Sequence, residues 1–300
     1  MPVRIAYIGL VLIWSTTPLA IQWSSPDSPT FALAMRMVIG LICCLAFLWV
    51  RGIKPPMDKK YWPIYCVTGL SVFLAMTFVY LSAQSLPSGW ISVLHGLNPI
   101  FTGIFAYFYL TESTMSKAKI LGILLGLFGL MLIFSSSLEL NESAILGIFY
   151  CLFAVLVTGM CSVFIKRLNK NAKLSGLEIN VGGLAITAPL CCLTWLIFSD
   201  PFVPAMTWKS ALSITYLGVI ATTFGFTLYY YLLKNIEATQ VSLVTLITPV
   251  TALILGSWLN GEPIVANVWF GAILICIGLT FFELGGKARW QQLKTYWRNL

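Results

Sequence analysis

Ten apolar runs, each long enough to cross a lipid bilayer, constrain the fold of this chain more than any other feature. A transmembrane helix needs about 20 such residues. The runs do not alternate between apolar and polar residues, which favours helices over a transmembrane β-barrel. Only 9% of the residues are charged, against about a quarter in a soluble domain. We therefore predict an all-α membrane protein with ten transmembrane helices, roughly at residues 3–22, 30–50, 62–84, 88–110, 117–136, 144–167, 176–198, 209–234, 239–259 and 265–283.

The basic residues predict the orientation of these helices. If the N-terminus is cytoplasmic, all of the 18 Lys and Arg residues except Arg36 and Lys209 fall at or near cytoplasmic ends of the runs. Because cytoplasmic segments carry an excess of positive charge, we predict that both termini are cytoplasmic and that residues 287–300 form a basic tail. The net charge of +8 then reflects contact with anionic lipid. The sequence has no aromatic and basic patch that would suggest a nucleic-acid partner.

Two segments of the chain align with one another without a gap, residues 77–112 with residues 227–262. A proline and a glutamate recur at the same spacing and at the same place in the helix order. We predict two five-helix halves, residues 1–138 and 139–286. Because five is odd, the halves enter the membrane in opposite senses, an inverted repeat typical of secondary transporters. The identical pairs are Thr77 and Thr227, Tyr80 and Tyr230, Ser92 and Ser242, Pro99 and Pro249, Ile104 and Ile254, and Glu112 and Glu262.

Three stretches of the sequence resemble a known family. They are "LIWSTTPLAIQW" (12–23), "NPI…YLTE" (98–112) and "TPV…WLNGE" (248–262). Together with the ten runs and the repeat, they resemble the EamA family of the drug/metabolite transporter superfamily over most of the chain. The resemblance implies a central cavity lined mainly by runs 1, 3, 4, 6, 8 and 9, with runs 5 and 10 at the periphery. It also implies transport of amino acids or other small metabolites, often outward.

Polar residues recur three and four positions apart in several runs, which places them on one face of a helix. These polar faces fall on the runs that the resemblance assigns to the cavity. Single Ser and Thr residues are also common at helix contacts in membranes, so packing remains an alternative for each of them. We predict that the substrate contacts Trp14, Arg36, Tyr80, Ser92, His95, Asn98, Tyr230, Thr245 and Thr248.

Arg36 and His95, the only histidine, are ionisable residues within apolar runs. Such residues are costly in a membrane and usually face protein or water. Arg36 could extend to the outer surface, bind a backbone carbonyl or pair with a substrate carboxylate. His95 could contact the substrate, carry a proton or be a satisfied structural residue. Because the runs contain no central carboxylate, a facilitator is the simpler inference than a proton-coupled carrier.

The repeated prolines and glutamates have structural alternatives as well. Pro99 and Pro249 each remove a helical hydrogen bond, and we predict that they are paired hinges or, alternatively, static kinks. Glu112 and Glu262 are predicted to cap the helices that follow them.

The sequence contains no Ser–His–Asp set, carboxylate pair, metal-ligand cluster or phosphate-binding glycine loop. We therefore predict a protein that is not an enzyme and has no metal and no cofactor. The spacing of Gly122 and Gly126 permits close helix packing, either within one chain or between two copies of a homodimer.

These observations predict a multi-pass transporter of the cell inner membrane that moves small metabolites by alternating access. Amino acids or related compounds moving outward are the expected substrates. One alternative is uptake of a metabolite, for example S-adenosylmethionine as in some relatives. A lipid flippase or a receptor without solute transport is the other.

Overall fold

All regular secondary structure among the described residues is helical, and no strand occurs there. The computed structural model describes residues 2–24, 28–110, 117–137, 142–198, 206–242, 244–261 and 266–284. The helices are α1 Val3–Ser24, α2 Pro29–Val50, α3 Trp62–Ser82, α4 Ser88–His95, α5 Asn98–Tyr109, α6 Lys117–Ser137, α7 Glu142–Ala172, α8 Gly176–Phe198, α9 Trp208–Tyr216, α10 Phe226–Asn235, α11 Ala238–Ser242, α12 Val244–Asn260 and α13 Ala266–Leu284. Glu112, Glu262 and the tail 287–300 lie outside the described residues.

Seven helical stretches in this part of the chain are long and apolar enough to cross a membrane. Two further apolar stretches, within α6 and α13, are shorter. Within a bilayer a helix satisfies all of its backbone hydrogen bonds internally, which is why apolar runs of this length adopt it. The prediction of an all-α membrane protein is confirmed, whereas ten crossings and their orientation stay predictions. The seven stretches are Val3–Ser24, Pro29–Val50, Lys59–Ser82, Ser88–Tyr109, Glu142–Ala172, Gly176–Phe198 and Trp208–Asn235.

Local side-chain bonds set where several helices begin. The Ser28 hydroxyl accepts the Phe31 amide (3.4 Å) directly ahead of α2. Before α8, Ser175 and Glu178 form a reciprocal pair. The Ser175 amide donates to Glu178 Oε2 (2.7 Å), and the Glu178 amide donates to Ser175 Oγ (3.3 Å). Such a capping box satisfies amide groups that a helix start leaves without partners.

The fourth apolar run is two helices and not one. Between α4 and α5 the Leu97 amide bonds the Leu94 carbonyl at 3.0 Å, and the Ile100 amide bonds the Leu97 carbonyl at 3.0 Å. Pro99 therefore stands in the first turn of α5, where a missing N–H costs little, and not in the middle of a helix as expected. Pro249 does lie inside the helix α12. The two prolines of the repeat thus occupy different local structures.

The eighth run contains a π-helical segment, Leu217–Gly225, between α9 and α10. The side-chain nitrogen Nδ2 of Asn180, in α8, donates to the carbonyls of Thr222 (3.0 Å) and Thr223 (3.3 Å). The segment also lies very close to α2, because a Cβ at Gly40 would be 2.5 Å from Thr222 Cγ2. π-Helical turns are rare in proteins, and those that occur often lie at functional sites.

The contacts between helices recur when each helix is replaced by its counterpart in the other half of the chain. Three counterpart pairs pack against each other: α2 with α8, α4 with α12, and α6 with α13. In addition, α3 packs against α7 and α8, and the stretch from α9 to α10 packs correspondingly against α1 and α2. Two related five-helix halves would produce this exchange; their inverted arrangement stays a prediction.

Glycines bring α6 and α13 into backbone contact. A Cβ at Gly122 would lie 2.4 Å from the Gly278 carbonyl oxygen, and a Cβ at Gly129 would lie 2.6 Å from the Gly271 carbonyl oxygen. Of the two alternatives for these small residues, the structure thus shows packing within one chain. None of the described residues of α6 and α13 lines the central cavity that is described below.

Candidate functional site

A cavity of about 110 Å³ lies between the helices. Its lining residues come from α1, α2, α3, α4, α5, α7, α10 and α12. These helices correspond to the runs that the family resemblance assigns to the cavity, with α2 in addition. A buried water needs about 10–15 Å³ on this measure, so the space holds on the order of eight waters, or a small solute with a similar number of heavy atoms.

Eight of the nine residues predicted to contact a substrate line this cavity, and Tyr80 does not. They reach it from six separate helices, which the chain brings together only on folding. The eight are Trp14, Arg36, Ser92, His95, Asn98, Tyr230, Thr245 and Thr248.

Arg36 places a positive charge in the cavity wall. Its side chain is only 2% exposed, so it does not extend to the outer surface. Nε donates to the Thr222 hydroxyl at 2.9 Å, whereas the buried Nη1 has no hydrogen-bond partner among the described residues. No Asp or Glu occurs among the described residues that line the cavity. An unpaired buried charge is unfavourable, and an anionic group in the cavity would offset that cost.

His95 complements this donor with an acceptor. Its Nδ1 lies 2.9 Å from the Ile91 carbonyl oxygen. Because a carbonyl can only accept, Nδ1 carries the hydrogen, and Nε2 of the neutral ring is an acceptor. Nε2 has no partner in the described part of the chain. The Cys151 sulfur, 3.6 Å from Nδ1, packs against the same side of the ring.

Four smaller polar residues of the predicted set also line the cavity. Ser92, Asn98, Thr245 and Thr248 are all buried. The Thr102 hydroxyl donates weakly to Asn98 Oδ1 at 3.4 Å, which leaves the amide nitrogen of Asn98 as a donor. The polar face of run 4 thus continues across the break between α4 and α5.

Aromatic rings form a second part of the wall. Trp14 and Tyr229 have ring centroids 5.2 Å apart, and Tyr230 stacks on Phe226 at 6.1 Å. Phe226 and Tyr229 line the cavity but were not predicted. A π-helical turn contains an additional residue, so every face downstream of the π segment is rotated relative to a regular helix. This rotation explains why Thr223, which lies in the π segment, does not share a face with Tyr230. Thr227 lies in α10 with Tyr230, and its hydroxyl instead accepts a hydrogen bond from Asn180 Nδ2 at 3.1 Å.

Tyr80 lies behind Arg36 and is not among the residues that line the cavity. Its ring centroid is 6.0 Å from the Arg36 Cζ atom, within the range of a cation–π contact. Its hydroxyl is buried without a partner among the described residues. The cavity side of α3 is instead formed by Ser71, Val72, Ala75, Met76 and Val79.

Polar contacts join α1 and α12 at one end of the cavity. The Trp23 indole nitrogen donates to Asn260 Oδ1 (2.8 Å), and Asn260 Nδ2 donates to Gln22 Oε1 (3.2 Å). Further along the same helix pair, the Thr251 hydroxyl donates to the Ser15 hydroxyl (2.9 Å). By the predicted orientation this is the outer end.

Comparison with known proteins decides the family. The model of the EamA-like transporter family matches residues 3–135 and 145–283. The chain belongs to the EamA-like transporter family. It is therefore a multi-pass membrane transporter, and the two matches correspond to its two halves.

Several relatives of this EamA protein match over almost their whole length. The Bacillus subtilis protein YoaV, named an uncharacterized transporter, is 30% identical over 92% of this chain and 95% of its own. The Escherichia coli protein YedA, named an uncharacterized inner membrane transporter, is 23% identical over 95% of this chain and 92% of its own. A solved crystal structure has a TM-score of 0.73 at 19% identity and covers 94% of this chain and 97% of its own. That likeness supports the fold alone.

Proposed function

We propose that this protein exports a small metabolite that carries a carboxylate group, an amino acid or a related compound. The observation that carries the proposal is the position of Arg36, which is 2% exposed in the cavity wall. One of its buried guanidinium nitrogens has no hydrogen-bond partner among the described residues. Guanidinium and carboxylate groups match one another in geometry and charge.

The other polar residues fit the remainder of an amino acid. His95 Nε2 is an acceptor for an ammonium or hydroxyl donor. Trp14, Phe226, Tyr229 and Tyr230 offer an apolar surface to a side chain. A ligand with an anionic group, a donor and an apolar part therefore uses each part of the lining.

The size of the cavity argues for a small substrate. S-Adenosylmethionine has about three times as many heavy atoms as the number of waters that a volume of this size admits. In this conformation the cavity of about 110 Å³ suits a single small amino acid better.

The transport cycle that we propose is alternating access between two inverted five-helix halves, residues 1–138 and 139–286. The ten crossings begin and end in the cytoplasm, and residues 287–300 form a basic tail on that side of the cell inner membrane. Contacts of Trp23 with Asn260 close the outer end. Pro249, inside α12, and the break beside Pro99 are the proposed hinges.

Flux through proteoliposomes tests the proposal. Each labelled amino acid is compared with the amine that lacks only the carboxylate, for example leucine with isopentylamine. We expect flux of at least one amino acid and none of its amine. Equal flux of both compounds would refute a role for the carboxylate, and the absence of any solute flux by folded protein would favour a flippase or a receptor. Vesicles sorted by protein orientation distinguish export from uptake.

A further inference from the structure

A second, larger chamber adjoins the central cavity. Its volume is about 620 Å³, and it is bounded by the ends of α5, α7 and α10 and the start of α8. Ile165 and Tyr230 line both spaces. Both side chains are almost fully buried, at 2% exposure each. These two residues therefore form the layer that separates the chamber from the cavity.

The wall of this chamber is strongly basic. It contains Lys166, Arg167, Lys170 and Lys173 at the end of α7 and in the turn after it, together with Lys234 from α10. No Asp or Glu belongs to the described residues of the wall. A concave surface of one charge sign concentrates counter-ions and raises their rate of association.

Hydrogen bonds to the backbone hold part of this basic wall in place. Lys234 Nζ donates to the Lys173 carbonyl at 2.9 Å. The Asn169 side chain binds both backbone groups of Leu174, with Oδ1 2.8 Å from the amide nitrogen and Nδ2 3.2 Å from the carbonyl oxygen. Lys173, between them, has the positive φ of 55°. The turn that carries Lys173 is thus built by specific bonds and does not depend on packing alone.

The excess of basic residues on cytoplasmic segments and the preference of cations for helix C-termini explain only some of the basic residues in this wall. Basic residues are common on cytoplasmic segments, and cations stabilise a helix C-terminus, which would place Lys170 and Lys173 near the end of α7. Neither rule requires Lys234 of a different helix to reach the Lys173 carbonyl. Neither rule requires the cations to surround a space that shares its wall with the central cavity.

We propose that this chamber is an anion-binding antechamber on the cytoplasmic side of the transport path. It takes the carboxylate or phosphate group of a solute before the solute passes Ile165 and Tyr230. The proposal rests on the proposed function, because it assigns the chamber to the same substrate. It adds a second place, apart from Arg36, at which the protein selects a solute with a negative charge.

Tyr230 suits the role of a movable partition. It is held by ring contacts, with Phe226 at 6.1 Å and with Tyr229 at 5.3 Å between centroids. Its hydroxyl has no hydrogen-bond partner in the described part of the chain. A rotation of this side chain therefore breaks no hydrogen bond of the hydroxyl group.

Binding of inorganic phosphate to the purified full-length protein tests the chamber directly. The protein is placed in nanodiscs of phosphatidylcholine, and binding is measured by calorimetry at low and high salt. We expect phosphate to bind, more weakly at high salt, and the double variant Arg167→Gln/Lys170→Gln to reduce the affinity at least tenfold. Lys60→Gln is the matched control, because Lys60 is exposed, lies elsewhere and pairs with Asp58 at 3.4 Å; it should leave the affinity unchanged.

Three results would overturn the proposal. These are no phosphate binding in phosphatidylcholine, equal binding by the double variant, and displacement of phosphate when phosphatidylglycerol is added to the nanodiscs. The last result would make the occupant a lipid headgroup and not a solute. Because this assay does not depend on flux, its failure is distinct from failure of the proposed function. If amino-acid flux still discriminates against the amine, only the antechamber is refuted.

Discussion

Replacing Arg36 by glutamine separates substrate binding from folding. The variant keeps a polar side chain in the cavity but removes the positive charge. Truncating one partner of a buried charge pair costs about 2–5 kcal/mol, and glutamine retains some hydrogen bonding, so we expect a loss of about 2–3 kcal/mol. At about 1.4 kcal/mol for each factor of ten, the Kd for a carboxylate substrate should rise roughly 30- to 150-fold.

The stability of the empty protein should not fall in the same variant. The bond from Arg36 Nε to the Thr222 hydroxyl contributes about 1.5–3 kcal/mol as a charged hydrogen bond. Removing a buried charge with an unpaired nitrogen relieves a desolvation cost of several kcal/mol. The two terms oppose one another, so we expect the Tm without ligand to be unchanged or slightly raised.

Thermal unfolding with and without substrate measures both effects at once. At a ligand concentration of 100 times the wild-type Kd, binding stabilises the protein by about 2.7 kcal/mol. With a Kd weakened 30- to 150-fold, the same concentration stabilises the Arg36→Gln variant by less than about 1 kcal/mol. Arg36→Lys, which keeps the charge but loses the planar fork, should be intermediate.

Two results would refute this reasoning. If the variant binds the substrate with unchanged affinity, Arg36 does not contact the carboxylate. If its Tm falls strongly without ligand, the guanidinium group is a structural element and its unpaired nitrogen carries no functional meaning.

Substitutions of Tyr80, Gly40 and His95, with Gly9 as a control position, test other parts of the account. Tyr80→Phe removes a buried hydroxyl without a partner, whose desolvation costs about 1–3 kcal/mol; Tm should stay or rise and flux should not change, whereas lost flux would return the residue to the cavity wall. Gly40→Ala should lower the unfolding free energy by about 1–3 kcal/mol through overpacking, because the new Cβ meets Thr222 Cγ2 at 2.5 Å. Gly9→Ala, where the nearest atom is the end of a leucine side chain at 3.3 Å, is the control that should not destabilise, and equal Tm losses would contradict the proposed close contact with the π segment. His95→Gln should retain part of the substrate affinity and His95→Ala should lose about 1–3 kcal/mol of it, measured as Kd by calorimetry at intact expression; wild-type affinity in both variants would make the histidine structural.

The apolar runs allowed the helical class to be predicted because a backbone in lipid has few alternatives to a helix. The same reasoning identified Arg36 and His95, since an ionisable group in an apolar run is costly without a purpose. Both residues line the cavity. Polar and ionisable residues within the apolar runs were therefore the sequence feature that best indicated the candidate site.

Local departures from regular helices were not predictable from periodicity. The break between α4 and α5 consists of Gly96 and Leu97 and directly precedes Asn98–Pro99, yet the aligned prolines of the repeat suggested two equivalent helices. Carbonyl groups of the π segment accept hydrogen bonds from Asn180, a residue of another helix, and helical periodicity carries no signal of such a contact. Phe226 and Tyr229 line the cavity beside Tyr230, but a polar spacing of three and four residues that includes Thr227 and Tyr230 passes over both of them.

The position of Tyr80 could not be predicted from the sequence for a different reason. α3 has small or polar residues on more than one side, and a spacing of three or four residues indicates a shared face without telling which neighbour that face meets. The face of Tyr80 meets Arg36 from behind, while Ser71 faces the cavity. Only the packing of α3 between α7 and α8 decides between them.

The most direct test of the central claim is a structure of the protein with a transported amino acid bound. The account predicts the carboxylate within hydrogen-bond distance of the Arg36 guanidinium group and a donor of the ligand at His95 Nε2. A ligand that binds outside the central cavity, or that turns its carboxylate away from Arg36, would contradict the account.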